Sequence, residues 1–200
     1  MPDEPGVSLP QSGFRHLGDR IVHRGHIWQV AVSTFESPHG ERFERDVVRS
    51  PGAVAVVPVL LDDGVPTVVF VRQYRGPLNR TVLEVPAGMR DIPEESLEIT
   101  ARRELAEEVG LSAGGLEYLT HFSPAVGMTD SVLYLFVATD LTPVERDVQG
   151  PEELHMDVLR LPLAEAVEMA VGGEIHDAKT VIGLLLVDRR WREGSLRLGP

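Results

Sequence analysis

An α/β/α sandwich built on a mixed sheet, with a small β-segment in front of it, is the fold that this 200-residue sequence predicts. Three observations carry that expectation. Strand-like runs recur along the chain, and one of them, 53–61, is continuously apolar, as a strand buried on both faces must be. Helix-patterned segments interleave with those runs, and strands flanked by two or three helices pack as a sheet between helical layers. Residues 20–49 instead alternate with period two and carry a hairpin signal, which sets them apart as a front segment.

The elements follow in order. Residues 1 to about 17 are rich in Pro, Gly and Ser and read as loose. In the front segment Ile27, Gln29, Ala31 and Ser33 share one strand face, and Trp28, Val30 and Val32 the other. Ser37-Pro38-His39-Gly40 is a turn, and 45–48 returns as the second arm. The main domain opens with the strand 53–61, turns at Asp62-Asp63-Gly64 and returns over 67–72. A short strand, 82–85, leads into Pro86-Ala87-Gly88. Asp91 to Glu94 has the form of a capping box with Pro93 in the first turn, and a helix follows with Leu97, Ala101, Leu105 and Val109 on an apolar stripe. Gly110 is placed to end it. Strands are expected over 116–122, 132–139 and 156–161, with an acidic, Pro/Gly-marked loop over 140–153. An amphipathic helix over 162–171 stops at Gly172-Gly173, and Asp177 caps a last helix reaching about Trp191. The domain division is therefore 1–49, an N-terminal β-segment, and 50–200, the main domain.

Composition narrows the function. The formal net charge is −12, and no Lys/Arg run is present, so nucleic acid is not an expected partner. There is no cysteine, which excludes disulfides, thiolate metal sites and a cysteine nucleophile and agrees with a cytoplasmic setting. No apolar run approaches a membrane span, and the N-terminus lacks a signal-peptide pattern. The histidines have no metal-ligand spacing, and His121, His155 and His176 read as structural or surface groups. No nucleophile elbow or P-loop occurs.

The chemistry lies in Arg103-Glu104-Leu105-Ala106-Glu107-Glu108-Val109-Gly110-Leu111. Helical spacings of three and four put Glu104, Glu107 and Glu108 on one face. Three like charges there repel, and a hard divalent cation with a preference for carboxylate oxygens resolves the repulsion. The bland alternative is a solvated acidic face with Arg103–Glu107 as an ordinary surface pair.

With Gly88 and Glu95 upstream, this string resembles the Nudix box: a glycine, a glutamate, then Arg-Glu-aliphatic-x-Glu-Glu-x-Gly-aliphatic. Six residues rather than five separate Gly88 from Glu95, in a loop where an insertion costs little. The resemblance implies a metal-dependent hydrolase of nucleoside diphosphate derivatives that uses Mg2+ or Mn2+. It implies Glu104, Glu107 and Glu108 as metal ligands, joined by the backbone carbonyl of Ala87. Arg103 and Glu95 would orient loop and helix through an ion pair. A general base is expected on the loop before the last strand, where Glu153 or Glu152 is available, with Glu145 and Asp147 as outside candidates.

Further strings resemble the ADP-ribose pyrophosphatases within that family over about 20–190: Gln73-Tyr74-Arg75, the run from Leu83 to Gly88, Ser123-Pro124 through Asp130, and the run from Gly173 to Ala178. Ala125 and Val126 separate Pro124 from the glycine that often follows it, and Ser131 stands where an acid is common. By this resemblance Trp28 and Arg45 would contact adenine, and Arg75, Glu84 and Gly88 would line the phosphate and ribose site. The competing readings are core or dimer packing for Trp28 and a surface ion pair for Arg75. The relatives imply a homodimer formed through the N-terminal segment. The alternatives are a Nudix hydrolase for a nucleotide sugar, dinucleotide or oxidised nucleotide, and a non-catalytic ADP-ribose sensor.

Overall fold

The computed structural model describes residues 12–146 and 154–198. Contacts divide the chain into two units: the residues up to Ser50 together with Ala125–Asp130, and Pro51–Pro124 together with Ser131–Pro200.

The first unit is an antiparallel meander of β1 (Arg15–Arg24), β2 (Gln29–Glu36) and β3 (Arg42–Arg49), in that order. Strand β1 begins inside the stretch read as loose. Its pairing with β2 shifts register at His16/Gly18 and again at Ile21/His23, so no period-two signature survives in its sequence. In β2 the expected alternation holds, with Ala31 and Ser33 fully buried. The segment 125–130 joins β3 through a parallel bridge, Val48 to Thr129. Arg49 fastens it further. Its Nε and Nη2 donate to Asp19 at 2.8 and 2.9 Å, and its Nη1 donates to Asp130 at 3.0 Å.

The second unit is a seven-stranded mixed sheet. Its main path runs β10 (Asp157–Pro162), β5 (Val65–Arg75), β4 (Ala53–Asp62), β9 (Leu133–Pro143), β8 (Leu111–Phe122), with β6 (Arg80–Glu84) on β5 and β7 (Ala87–Met89) on β4. Strand β4 (Ala53–Asp62) lies parallel to β9 (Leu133–Pro143) and antiparallel to β5 (Val65–Arg75). The β4–β5 turn places Asp63 and Gly64 at φ 48° and 80°, the left-handed pair that an Asp-Gly hairpin needs. Alternate residues of β4 feed two cores. Val54 and Val56 pack with Ala101, Leu105 and Val109 of α1 (Leu97–Val109). Val57 and Val59 pack on the opposite face with Leu163 and Val167 of α2 (Leu163–Val171) and Leu184 and Val187 of α3 (Ala178–Arg192). This is the α/β/α sandwich that the sequence predicts.

Four boundaries differ from expectation. The cap of α1 is Ser96, whose hydroxyl accepts from the Ile99 N–H at 3.3 Å, not Asp91; Glu94 lies at φ 64°, outside the helix. Strand β8 (Leu111–Phe122) starts five residues before the expected 116, through Gly114-Gly115. A Cβ at Gly115 would meet the Thr139 hydroxyl at 2.3 Å, so glycine here serves close strand approach. Strand β9 runs on to Pro143, into the stretch read as loop. The three-residue strand β7 (Ala87–Met89) pairs with β4 and is too short to show a period. Strands β6 (Arg80–Glu84) and β10 (Asp157–Pro162) fall where expected. Among the described residues no helix is long and apolar enough to cross a membrane.

Candidate active site

Helix α1 carries its acids where the sequence puts them, on the border of the buried stripe. Ala101 and Leu105 are fully buried against the sheet, and Glu104 and Glu108, one turn apart, are 8% and 5% exposed. Gly110 closes the helix at φ 66°, its N–H bonded to the Ala106 carbonyl.

Strand β7 lies against that acidic edge. The Ala87 N–H donates to Glu108 Oε2 at 2.9 Å. Gly88 faces Glu104 so closely that a Cβ would sit 1.9 Å from its carboxyl carbon. The glycine of the string is thus a steric requirement: any side chain would displace a carboxylate.

Arg103 spreads one guanidinium over three acids. Nε and Nη2 donate to Glu95 at 3.2 and 3.1 Å, and Nη1 donates to Glu104 at 2.7 Å and Glu107 at 2.9 Å. Glu95 also accepts from the Thr100 hydroxyl at 2.8 Å. These bonds hold the Glu95 carboxyl below its usual range, Arg103 foremost, and keep Arg103 more firmly charged than a free arginine. Glu104 goes the other way. Burial pushes it up to about 7; Arg103 opposes the shift and Glu107 adds to it.

Among the described residues no three Asp, Glu or His side chains are grouped to hold an ion as they stand, and Arg103 Nη1 bonds both Glu104 and Glu107. The donor set nevertheless fits a hard cation. Its side-chain donors are all carboxylate oxygens, and burial disfavours the charged form of Glu104, which a cation beside it would favour.

A second cluster surrounds a cavity of about 500 Å³ lined by Arg75, Arg80, Glu84, His176, Asp177 and Lys179. Arg75 grips Glu84 in a fork, with Nε to Oε1 at 2.7 Å and Nη2 to Oε2 at 2.8 Å. Lys179 bonds Glu84 Oε2 as well, and Asp177 at 3.0 Å. Burial works to raise Glu84, but the bonds and charges of Arg75 and Lys179 outweigh it and hold the carboxyl below its usual range.

The fold agrees with what comparison with known proteins finds. A family model described as NUDIX domain matches residues 49–182. The chain belongs to the Nudix family. It is 35% identical over 163 residues to the ADP-ribose pyrophosphatase of Bacillus subtilis (strain 168), covering 82% of this chain and 86% of that protein. It is 34% identical, with the same coverage, to the methanol dehydrogenase activator of Bacillus methanolicus. The solved structure of an ADP compounds hydrolase superposes with a TM-score of 0.77 at 27% identity, covering 96% of this chain and all of that one. The protein is a Nudix hydrolase.

The remaining candidates from the sequence are placed as follows. Trp28 and Arg45 belong to the first unit. Trp28 is exposed, which removes the core reading, and Arg45 stacks over Phe43 at 4.8 Å. Glu145 is exposed. Glu152, Glu153 and Asp147 lie outside the described residues. Sequence reasoning missed Lys179 and Thr180. The available signal was that Lys179 is the only lysine in a chain with 19 basic residues, next to the helix cap Asp177.

Proposed function

We propose that this Nudix hydrolase cleaves the diphosphate of ADP-ribose to AMP and ribose 5-phosphate with Mg2+ or Mn2+. The observation that carries the reading is the pair of buried carboxylates, Glu104 and Glu108, set against Ala87 and Gly88 of β7, with burial raising the first of them. Glu104, Glu107 and Glu108, with the Ala87 carbonyl, would hold the ions. Bound divalent cations neutralise the diphosphate and lower the pKa of water.

The chain's own residues supply the rest. Gly88 keeps the approach to Glu104 open. Arg103, anchored on Glu95, fixes the spacing of Glu104 and Glu107 and keeps Glu95 as its partner when cations take the two metal-binding carboxylates. Arg75, held by Glu84, meets a phosphate or the ribose. Glu153 or Glu152 takes the proton from the attacking water. Trp28 and Arg45 stack on adenine, as an indole or guanidinium plane does. Exposed Phe14, Leu17, Val22, Ile27 and Trp28 on the first unit support a homodimer formed there. A cytoplasmic location completes the reading.

A second reading keeps the chemistry and changes the substrate to another nucleoside diphosphate derivative; the equally similar Bacillus methanolicus relative, which carries a different name, favours testing it. The experiment is product chromatography after incubation with ADP-ribose, ADP-glucose, NADH and oxidised nucleotides, with and without Mg2+. Metal-dependent AMP from ADP-ribose above all others supports the proposal. Faster turnover of another compound selects the second reading. Binding of ADP-ribose without turnover of any compound defeats both and leaves a sensor.

A further inference from the structure

The N-terminal turn of α3 grips the strand that feeds the acidic turn, and it does so at two adjacent residues. Thr180 Oγ1 accepts the Val85 N–H at 2.9 Å and donates to Asp177 at 2.6 Å. One residue earlier in each element, Lys179 bonds Glu84. Both Lys179 and Glu84 are buried, at 7% and 3% exposure, whereas the Arg75 side chain is 41% exposed. Glu84 therefore has a cation behind it, locked into the helix cap, and a cation in front of it, open to the cavity.

That order has a chemical consequence. Arg75 spends Nε and Nη2 on Glu84, which leaves Nη1 outside the fork. Arg75, Lys179, Glu84 and Asp177 together sum to zero charge. Remove Lys179 and the group carries one net negative charge beside the cavity. Glu84 is then a buried carboxylate with Arg75 as its remaining partner, and such a carboxylate draws that partner inward. Both changes work against a polyanion.

We propose that Lys179 is a positioning residue for substrate binding, which acts through Glu84 to hold Arg75 with its free guanidinium edge toward the diphosphate. This rests on the reading above that Arg75 meets the substrate. Lys179 does not itself touch the reacting atoms.

A double-mutant cycle on KM tests the coupling. With ADP-ribose and Mg2+, Lys179→Met raises KM about tenfold and leaves kcat within about twofold, the size of coupling expected between neighbours in one ion network. In an Arg75→Ala background the same substitution changes KM by less than about twofold. A residue that only supports the fold would multiply its effect onto that of Arg75→Ala, and that result overturns the proposal. A second readout does not need a Lys179 variant to fold. Because the chain has one lysine, 13C-lysine labelling gives a single side-chain Cε cross-peak. The peak moves in Glu84→Gln, and in the wild type on adding ADP-ribose with EDTA present, but not on adding ADP-ribose to Arg75→Ala. A peak indifferent to Glu84→Gln or to ligand in the wild type overturns the proposal. Wild-type protein that fails to turn over ADP-ribose, with the peak still moving in Glu84→Gln, defeats the substrate reading and not the Lys179–Glu84 link.

Discussion

Gly88 lies against the carboxylate of Glu104, with a virtual Cβ on residue 88 only 1.9 Å from Glu104 Cδ. The relationship ties strand β7 to a helix that begins nine residues after Gly88, and it makes the glycine part of the acidic site. Gly88→Ala should therefore push Glu104 off its position. Overpacking of this kind costs about 1–3 kcal/mol, and turnover should fall about a hundredfold, as a displacement of order 1 Å at a reacting centre does. Steady-state kinetics and urea denaturation check both numbers. An active, stable Gly88→Ala protein would show that Glu104 moves freely.

Glu104 gives the metal-free protein a pH signature. Its folded carboxyl sits at about 7 through burial, against 4.5 when free. Between those values the folded state holds a proton that the unfolded state has released. Stability therefore falls as pH rises from about 4.5 to 7. From pH 5.5 to 7.5 in EDTA the loss from this group is about 2 kcal/mol. Glu84 and Glu95 are held below their usual range and act at lower pH, outside this window. Denaturation of wild type and Glu104→Gln at both pH values isolates the term, since only the wild type should show it. If Glu104 holds Mg2+ as proposed, adding Mg2+ should reverse the sign, because a cation that binds the ionised form binds more tightly as pH rises.

Arg103 balances Glu95, Glu104 and Glu107 with a single charge. Arg103→Ala leaves three neighbouring acids uncompensated and should destabilise the metal-free protein by about 2 kcal/mol, below the range for fully buried pairs because the side chain is partly solvated. Added Mg2+ should restore part of that loss. A metal-independent change under half a kilocalorie would mean that the cage contributes nothing.

Much of this was legible in the sequence, for reasons tied to particular residues. The sandwich showed because Val54 and Val56 face one core and Val57 and Val59 the other, which leaves no polar position in the run. The acidic face showed because Glu104, Glu107 and Glu108 keep helical spacing. The cap was misplaced because Asp91 and Ser96 both offer a capping oxygen, and only the left-handed turn at Glu94 decides between them. Strand β1 was hidden by its bulges. Lys179 was hidden because its partner Glu84 is 95 residues away in sequence, a contact that no local pattern encodes.

The exposed aromatic and aliphatic side chains of the first unit predict self-association. Sedimentation velocity should give a dimer, and Trp28→Glu should shift it toward monomer while thermal unfolding changes little, since Trp28 is exposed in the single chain. A wild-type monomer at high protein concentration would remove the dimer from the account.

Glu108 is proposed to act as an anion in metal-dependent hydrolysis. Glu108→Gln isolates the charge, because the amide oxygen retains an acceptor for the Ala87 N–H. The measurement is the rate of AMP formation from ADP-ribose in saturating Mg2+ by the two proteins, with melting temperature alongside. An unchanged melt and a loss of about a thousandfold are expected, the ~4 kcal/mol that a cation's charge stabilisation supplies. A Glu108→Gln protein as active as the wild type would contradict it.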